Sequence, residues 1–73
     1  MLNDKIAVAN IMKQFHMMRN KKDNLYALSS ATHPEDPDYE QFRYMAEDSL
    51  KAFNRYCEIH KEVIDFLREV NLV

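Results

Sequence analysis

This chain of 73 residues contains no glycine. Phosphate-cradling loops, nucleotide-binding fingerprints and glycine hairpin turns all rely on a residue without a Cβ, so each of them is excluded. There is one cysteine, Cys57. An internal disulfide is therefore impossible, and the thiol reads as a buried group in a reducing compartment. No run approaches the roughly 18 consecutive apolar residues of a membrane span, and the N-terminus carries no signal-peptide core. A soluble, cytoplasmic protein without membrane contact is the expectation. Only two prolines occur, Pro34 and Pro37, and they fall in one short stretch that leaves a long uninterrupted segment on either side.

What is present is helical periodicity. In the second segment Tyr39, Phe42, Ala46, Ser49, Phe53, Tyr56, His60, Val63, Leu67 and Val70 follow at alternating steps of three and four, the seam of a helix packed lengthwise on another. Two further apolar rows flank this seam at seven-residue spacing. One runs Met45, Ala52, Ile59, Phe66, Val73, and the other Leu50, Cys57, Ile64. Together these columns cover an arc of roughly 160°, wider than the roughly 100° of an ordinary surface helix. One neighbouring helix cannot cover so wide a face.

The first segment carries a narrower stripe of Val8, Ile11, Phe15, Met18 and Leu25, with Met12 and Leu28 beside it. Asn3 or Asp4 can cap its start. Between the segments, Ser29 to Asp38 holds both prolines, and Asp36 followed by Pro37 suits a helix start. The reading is all-α: a helix over about 2–30, a loop at 31–36, and a second helix over about 37–71. A loop this short makes them antiparallel neighbours. Such a hairpin, in a chain at the lower limit for an independent core, leaves both flanking rows in water. A homodimeric four-helix bundle covers them, with Met45, Leu50, Ala52, Cys57, Ile59, Ile64, Phe66 and Val73 as the interface to a second copy or another protein.

Charge is divided along the chain. Residues 1–31 carry five Lys/Arg against two Asp/Glu, and residues 32–73 carry five against ten. The split favours contact between the halves or between copies, and nucleic acid is not expected as a partner. The acidic residues Glu40, Glu47, Asp48, Glu58, Glu62 and Glu69 form an outer face suited to a basic protein surface. Lys22 stands on the first helix's seam opposite the small and polar Ala46 and Ser49, where its ammonium could reach Glu47 or Asp48. With His16, Arg19 and Tyr26 it also makes up the one candidate contact for an anionic small molecule or nucleotide. Cys57 and His60 stand one turn apart, with His16 on the other helix. Zinc needs three or four ligands, and a thiol in an apolar row is a poor nucleophile, so neither metal nor cofactor nor catalysis is expected.

The segment Thr32-His-Pro-Glu35 followed by an acidic amphipathic helix is similar to the small helical-hairpin phosphatases that act on sporulation response regulators. Those carry Ser-Gln-Glu-Leu-Asp on the second helix, where this chain has Ala46-Glu-Asp-Ser-Leu50, so membership is not assigned. The expected function is a non-enzymatic protein-protein interaction module, a regulator, adaptor or inhibitor acting as a helical oligomer. An oligomeric binder of an anionic ligand through the basic part of the first helix is the second expectation.

Overall fold

The computed structural model describes residues 4–73. The described residues form three helices and no strand: α1 at Lys5–Ala31, α2 at Tyr39–Ile59 and α3 at Lys61–Glu69. The molecule is a rod of 51 × 19 × 17 Å with a radius of gyration of 15.1 Å. A compact domain of this length would have about 11 Å.

Local chemistry sets most of the helix ends. The Asp4 carboxylate accepts hydrogen bonds from the Ile6 and Ala7 amides at 3.1 Å each, satisfying two of the unpaired donors at the start of α1. Asn3, the other expected cap, lies outside the described residues. At the far end the Thr32 hydroxyl donates to the Leu28 carbonyl. The connection is a chain of turns in which the Asp36 carboxylate accepts from the Asp38 amide and the Asp36 carbonyl from that of Tyr39. Asp36 therefore shapes the turn and does not cap the helix as expected; α2 begins two residues later than the sequence reading placed it.

The single long second helix is the larger correction. At His60 the backbone leaves helical values (φ −109°, ψ 29°), and α3 starts afresh. The reason is geometric. Phe15 meets Phe53 with ring centroids 5.1 Å apart, while Lys21 and Leu25 share a groove with Tyr44 and Met45, so α1 and α2 run in opposite directions. In that register Lys5 lies level with about residue 63, by counting one residue down for each residue up. A straight helix would carry Ile64 and Leu67 beyond the described start of α1. Instead the chain turns back, setting Arg68 over the Phe15 ring and bringing the Leu72 carbonyl to within 2.9 Å of His16 Nε2. Val63, Ile64 and Leu67 become the most completely buried large side chains, each worth roughly 1.5–3 kcal/mol.

The end of α3 shows what the absence of glycine requires. Helices commonly stop on a left-handed residue, for which glycine is the usual choice and asparagine the next. Here Asn71 takes that conformation with φ 61°. The Asn71 amide then donates to Arg68 and the Leu72 amide to Leu67, the paired bonds of a Schellman motif. The remaining core is Phe15 and, toward the loop, Ala46 and Ser49. Ser49 is satisfied internally, its hydroxyl donating to the Ala46 carbonyl at 2.7 Å.

Candidate functional site

The two apolar rows that flank the α2 seam have separate fates. Leu50 and Cys57 are half-buried and Ile64 is 1 % exposed. The charges of Arg68, on α3, and of Lys22, on α1, both act to lower the pKa of the Cys57 thiol. Burial nonetheless dominates there and pushes the Cys57 thiol above its ordinary pKa, as it does the Tyr56 hydroxyl. Ile64, expected at an interface between chains, is part of the core of its own chain.

The opposite flank is open. Met45 is 38 % and Ile59 69 % exposed, Ala52 and Phe66 are exposed as well, and Val73 is half-buried. Between α1 and α2 this side forms a groove of about 600 Å³, lined mainly by Met17, Met18 and Leu25 from one helix and Tyr44, Met45 and Ala52 from the other. A second groove of about 430 Å³ continues past Ala52 to Arg55, Tyr56 and Ile59. Met18, Asp48 and Ala52 belong to both. Methionine's unbranched, polarizable side chain suits a surface that must adapt to another molecule. Tyr44 is 69 % exposed and Met17 56 %, and neither lay on an expected interface. Tyr44 falls outside the heptad columns, and only the breadth of its ring brings it to the groove wall.

The basic cluster of α1 is occupied by its own chain. The Arg19 guanidinium donates to His16 Nδ1 at 3.0 Å and lies 5.5 Å from the centre of the Phe15 ring. With Nδ1 accepting, His16 carries its hydrogen on Nε2 and donates it to the Leu72 carbonyl. Lys22 is half-buried, lies 5.2 Å from the centre of the Phe53 ring, and pairs with Asp23 at 2.8 Å. It does not reach Glu47 or Asp48 as expected. Tyr26 is exposed on the same helix. The cluster thus ties the C-terminal turn and the α2 seam to α1.

The acidic residues Glu40, Glu47, Asp48, Glu58, Glu62 and Glu69 are all exposed. Surface pairs follow helical spacing, with Arg43 on Glu47, and Lys61 and Arg68 both on Asp65. Pairs of this kind contribute only a few tenths of a kcal/mol each. Among the described residues no three His, Cys, Asp or Glu side chains come together as a metal site. None of the described helices is long and apolar enough to cross a membrane. No protein-family model, curated protein or solved structure matches the chain.

Proposed function

We propose that this chain is a small non-enzymatic interaction module, a regulator, adaptor or inhibitor, that works as a helical oligomer. In this reading α1 and α2 form an antiparallel hairpin, α3 closes one side of it, and a second copy covers the other to complete a homodimeric four-helix bundle. The observation that carries the reading is the open flank of α2. Met45, Ala52 and Ile59 run along an apolar groove with Met17, Met18, Leu25 and Tyr44, on a side that α3 leaves uncovered. Contiguous apolar surface on a small protein marks a contact with another protein. The exposed acidic residues away from the grooves, Glu40, Glu47, Glu58, Glu62 and Glu69, are suited to a partner with a basic surface, whereas Asp48 lines both grooves.

The test is the mass of the protein in solution over a dilution series, with helicity followed in parallel. The wild-type chain is expected to be dimeric at micromolar concentration. Ile59→Glu is expected to be monomeric with its helicity intact, because Ile59 contributes little to the fold of the single chain. An Ile59→Glu protein that dimerises as well as the wild type would remove this flank from the reading. Charge reversal at Glu40, Glu47, Glu58 and Glu62 tests the outer face, and unchanged partner binding would discard it.

A further inference from the structure

We propose that the second copy docks antiparallel along α2, about a two-fold axis that passes through Ala52. This rests on the oligomer reading above and specifies its geometry. Met45 and Ile59 lie seven residues to either side of Ala52, two helical turns each way, on the same open flank. A two-fold axis at Ala52 therefore sets Met45 against the partner's Ile59, and Ile59 against the partner's Met45, over about 21 Å of helix. At the axis the small Ala52 side chains allow the two backbones to approach closely.

The charges select this arrangement over a parallel one. Asp48 stands one turn before Ala52 and Arg55 one turn after it, both exposed, and neither has an ion-pair partner among the described residues. They are too far apart along α2 to pair with each other. The two-fold operation places Asp48 beside the partner's Arg55, and does so twice. A parallel pairing would oppose Asp48 to Asp48 and Arg55 to Arg55, and like charges across an interface suppress the wrong register.

Shape agrees. The two grooves meet at Ala52, one on the Met45 side and one on the Ile59 side. Ile59, the more protruding residue of the row, then enters the partner's groove beside Met17 and Met45. The accessible surface of the chain is 5580 Å². A compact monomer of its 8.7 kDa would expose about 4,700 Å². The excess of about 850 Å² follows from the rod shape of the chain, which leaves long helix flanks open.

A charge swap and a cross-link test the axis. Asp48→Arg or Arg55→Asp alone opposes like charges twice per dimer and is expected to weaken dimerisation at least about tenfold. The double variant Asp48→Arg, Arg55→Asp restores the pairs with signs reversed and is expected to return to within about threefold of the wild type. In a Cys57→Ser background, Ala52→Cys is expected to give a disulfide-linked dimer on mild oxidation, while Asn54→Cys, on the other side of α2, is not. A dimer that tolerates the single swaps, or whose double variant fails to recover, or that does not cross-link at position 52, overturns the axis and leaves the oligomer reading standing. A wild-type chain that is monomeric throughout the dilution series overturns both.

Discussion

Two apolar rows flank the α2 seam with the same seven-residue spacing, yet Leu50, Cys57 and Ile64 are covered while Met45, Ala52 and Ile59 are left open. Composition does not explain the contrast, since both rows are apolar throughout. Position in the fold does. After the break at His60 the last nine helical residues turn back and carry the chain to Phe15 and His16 of α1. Ile64, one of these nine, becomes core, and Leu50 and Cys57 on its row are half-buried. Met45, Ala52 and Ile59 stay on the surface with the chemistry of a core, which is the ordinary composition of a protein interface centre.

Removing α3's contribution is the most severe way to break this contrast. Ile64→Ala or Leu67→Ala is expected to cost roughly 2–5 kcal/mol, a truncation of fully buried side chains. A domain of this size has only about 4–11 kcal/mol in total. Met17→Ala and Tyr44→Ala, on the open side, are expected to change monomer stability by no more than about 0.5 kcal/mol. Urea unfolding followed by circular dichroism, at concentrations where the chain is monomeric, measures both. Equal costs on the two sides would mean that the open flank is packed after all.

The next largest effect concerns what holds α3 in place. Asn71 occupies a left-handed conformation that costs most residues about 1–2 kcal/mol. Asn71→Ala is expected to destabilise by about 1 kcal/mol, and Asn71→Gly to be neutral or to stabilise slightly. His16→Ala removes the hydrogen bond to the Leu72 carbonyl and is expected to loosen the same turn by about 0.5–1.5 kcal/mol. Amide exchange over residues 61–72 reports both. An Asn71→Ala chain as stable as Asn71→Gly would show that the cap contributes nothing.

Much of this was legible in the residues. The seam is half-buried or buried from Tyr39 to Leu67, because a period of three and four is imposed by helix geometry alone, while its last expected member, Val70, is 46 % exposed at the C-cap of α3. A cap at Asn3 or Asp4 follows from their short polar side chains before an apolar run, and Asp4 is the one seen to cap. The break at His60 was not legible. No proline or glycine marks it, and the contacts it permits, of Arg68 with Phe15 and of Leu72 with His16, join distant parts of the chain. For that reason Ile64 seemed a surface residue, and the hydrogen bond from His16 to residue 72 had no local signal. Lys22 was legible as an anomaly on a seam, but its partner was not: a flexible lysine found Asp23 beside it in place of an acid across the interface.

That lysine offers a way to sharpen the comparison. Lys22 lies on the α1 seam over Phe53, and its only ion pair among the described residues is with a largely exposed carboxylate. An exposed pair contributes little and the ring contact about 0.5–1 kcal/mol, whereas a leucine stem there would be buried without a charge to hydrate. Lys22→Leu is expected to raise monomer stability by about 0.5–1 kcal/mol and to leave the dimer constant unchanged, because the residue faces the seam and not the open flank. A changed dimer constant would place Lys22 in the interface.

The smallest effect is read from Cys57, half-buried on the same row as Ile64. Burial raises its pKa in the folded chain, so the native state holds the proton more tightly than the unfolded one. The stability gained from keeping the thiol neutral is complete below the unfolded value of about 8.5. It is lost as the pH climbs from there through the raised native value. The urea midpoint is expected to fall slightly between pH 8 and 10, and less so in Cys57→Ala. Reactivity gives a finer measure, since the thiolate is the form that attacks an alkylating reagent. Iodoacetamide is expected to modify native Cys57 several-fold more slowly than the urea-unfolded chain. Asn71→Ala, which loosens the cover, is expected to narrow that gap, whereas Ile59→Glu on the opposite flank leaves it as it was. If Ile59→Glu exposes the thiol as much as Asn71→Ala does, the two flanks are one cooperative surface, and the separation of covered from open row fails.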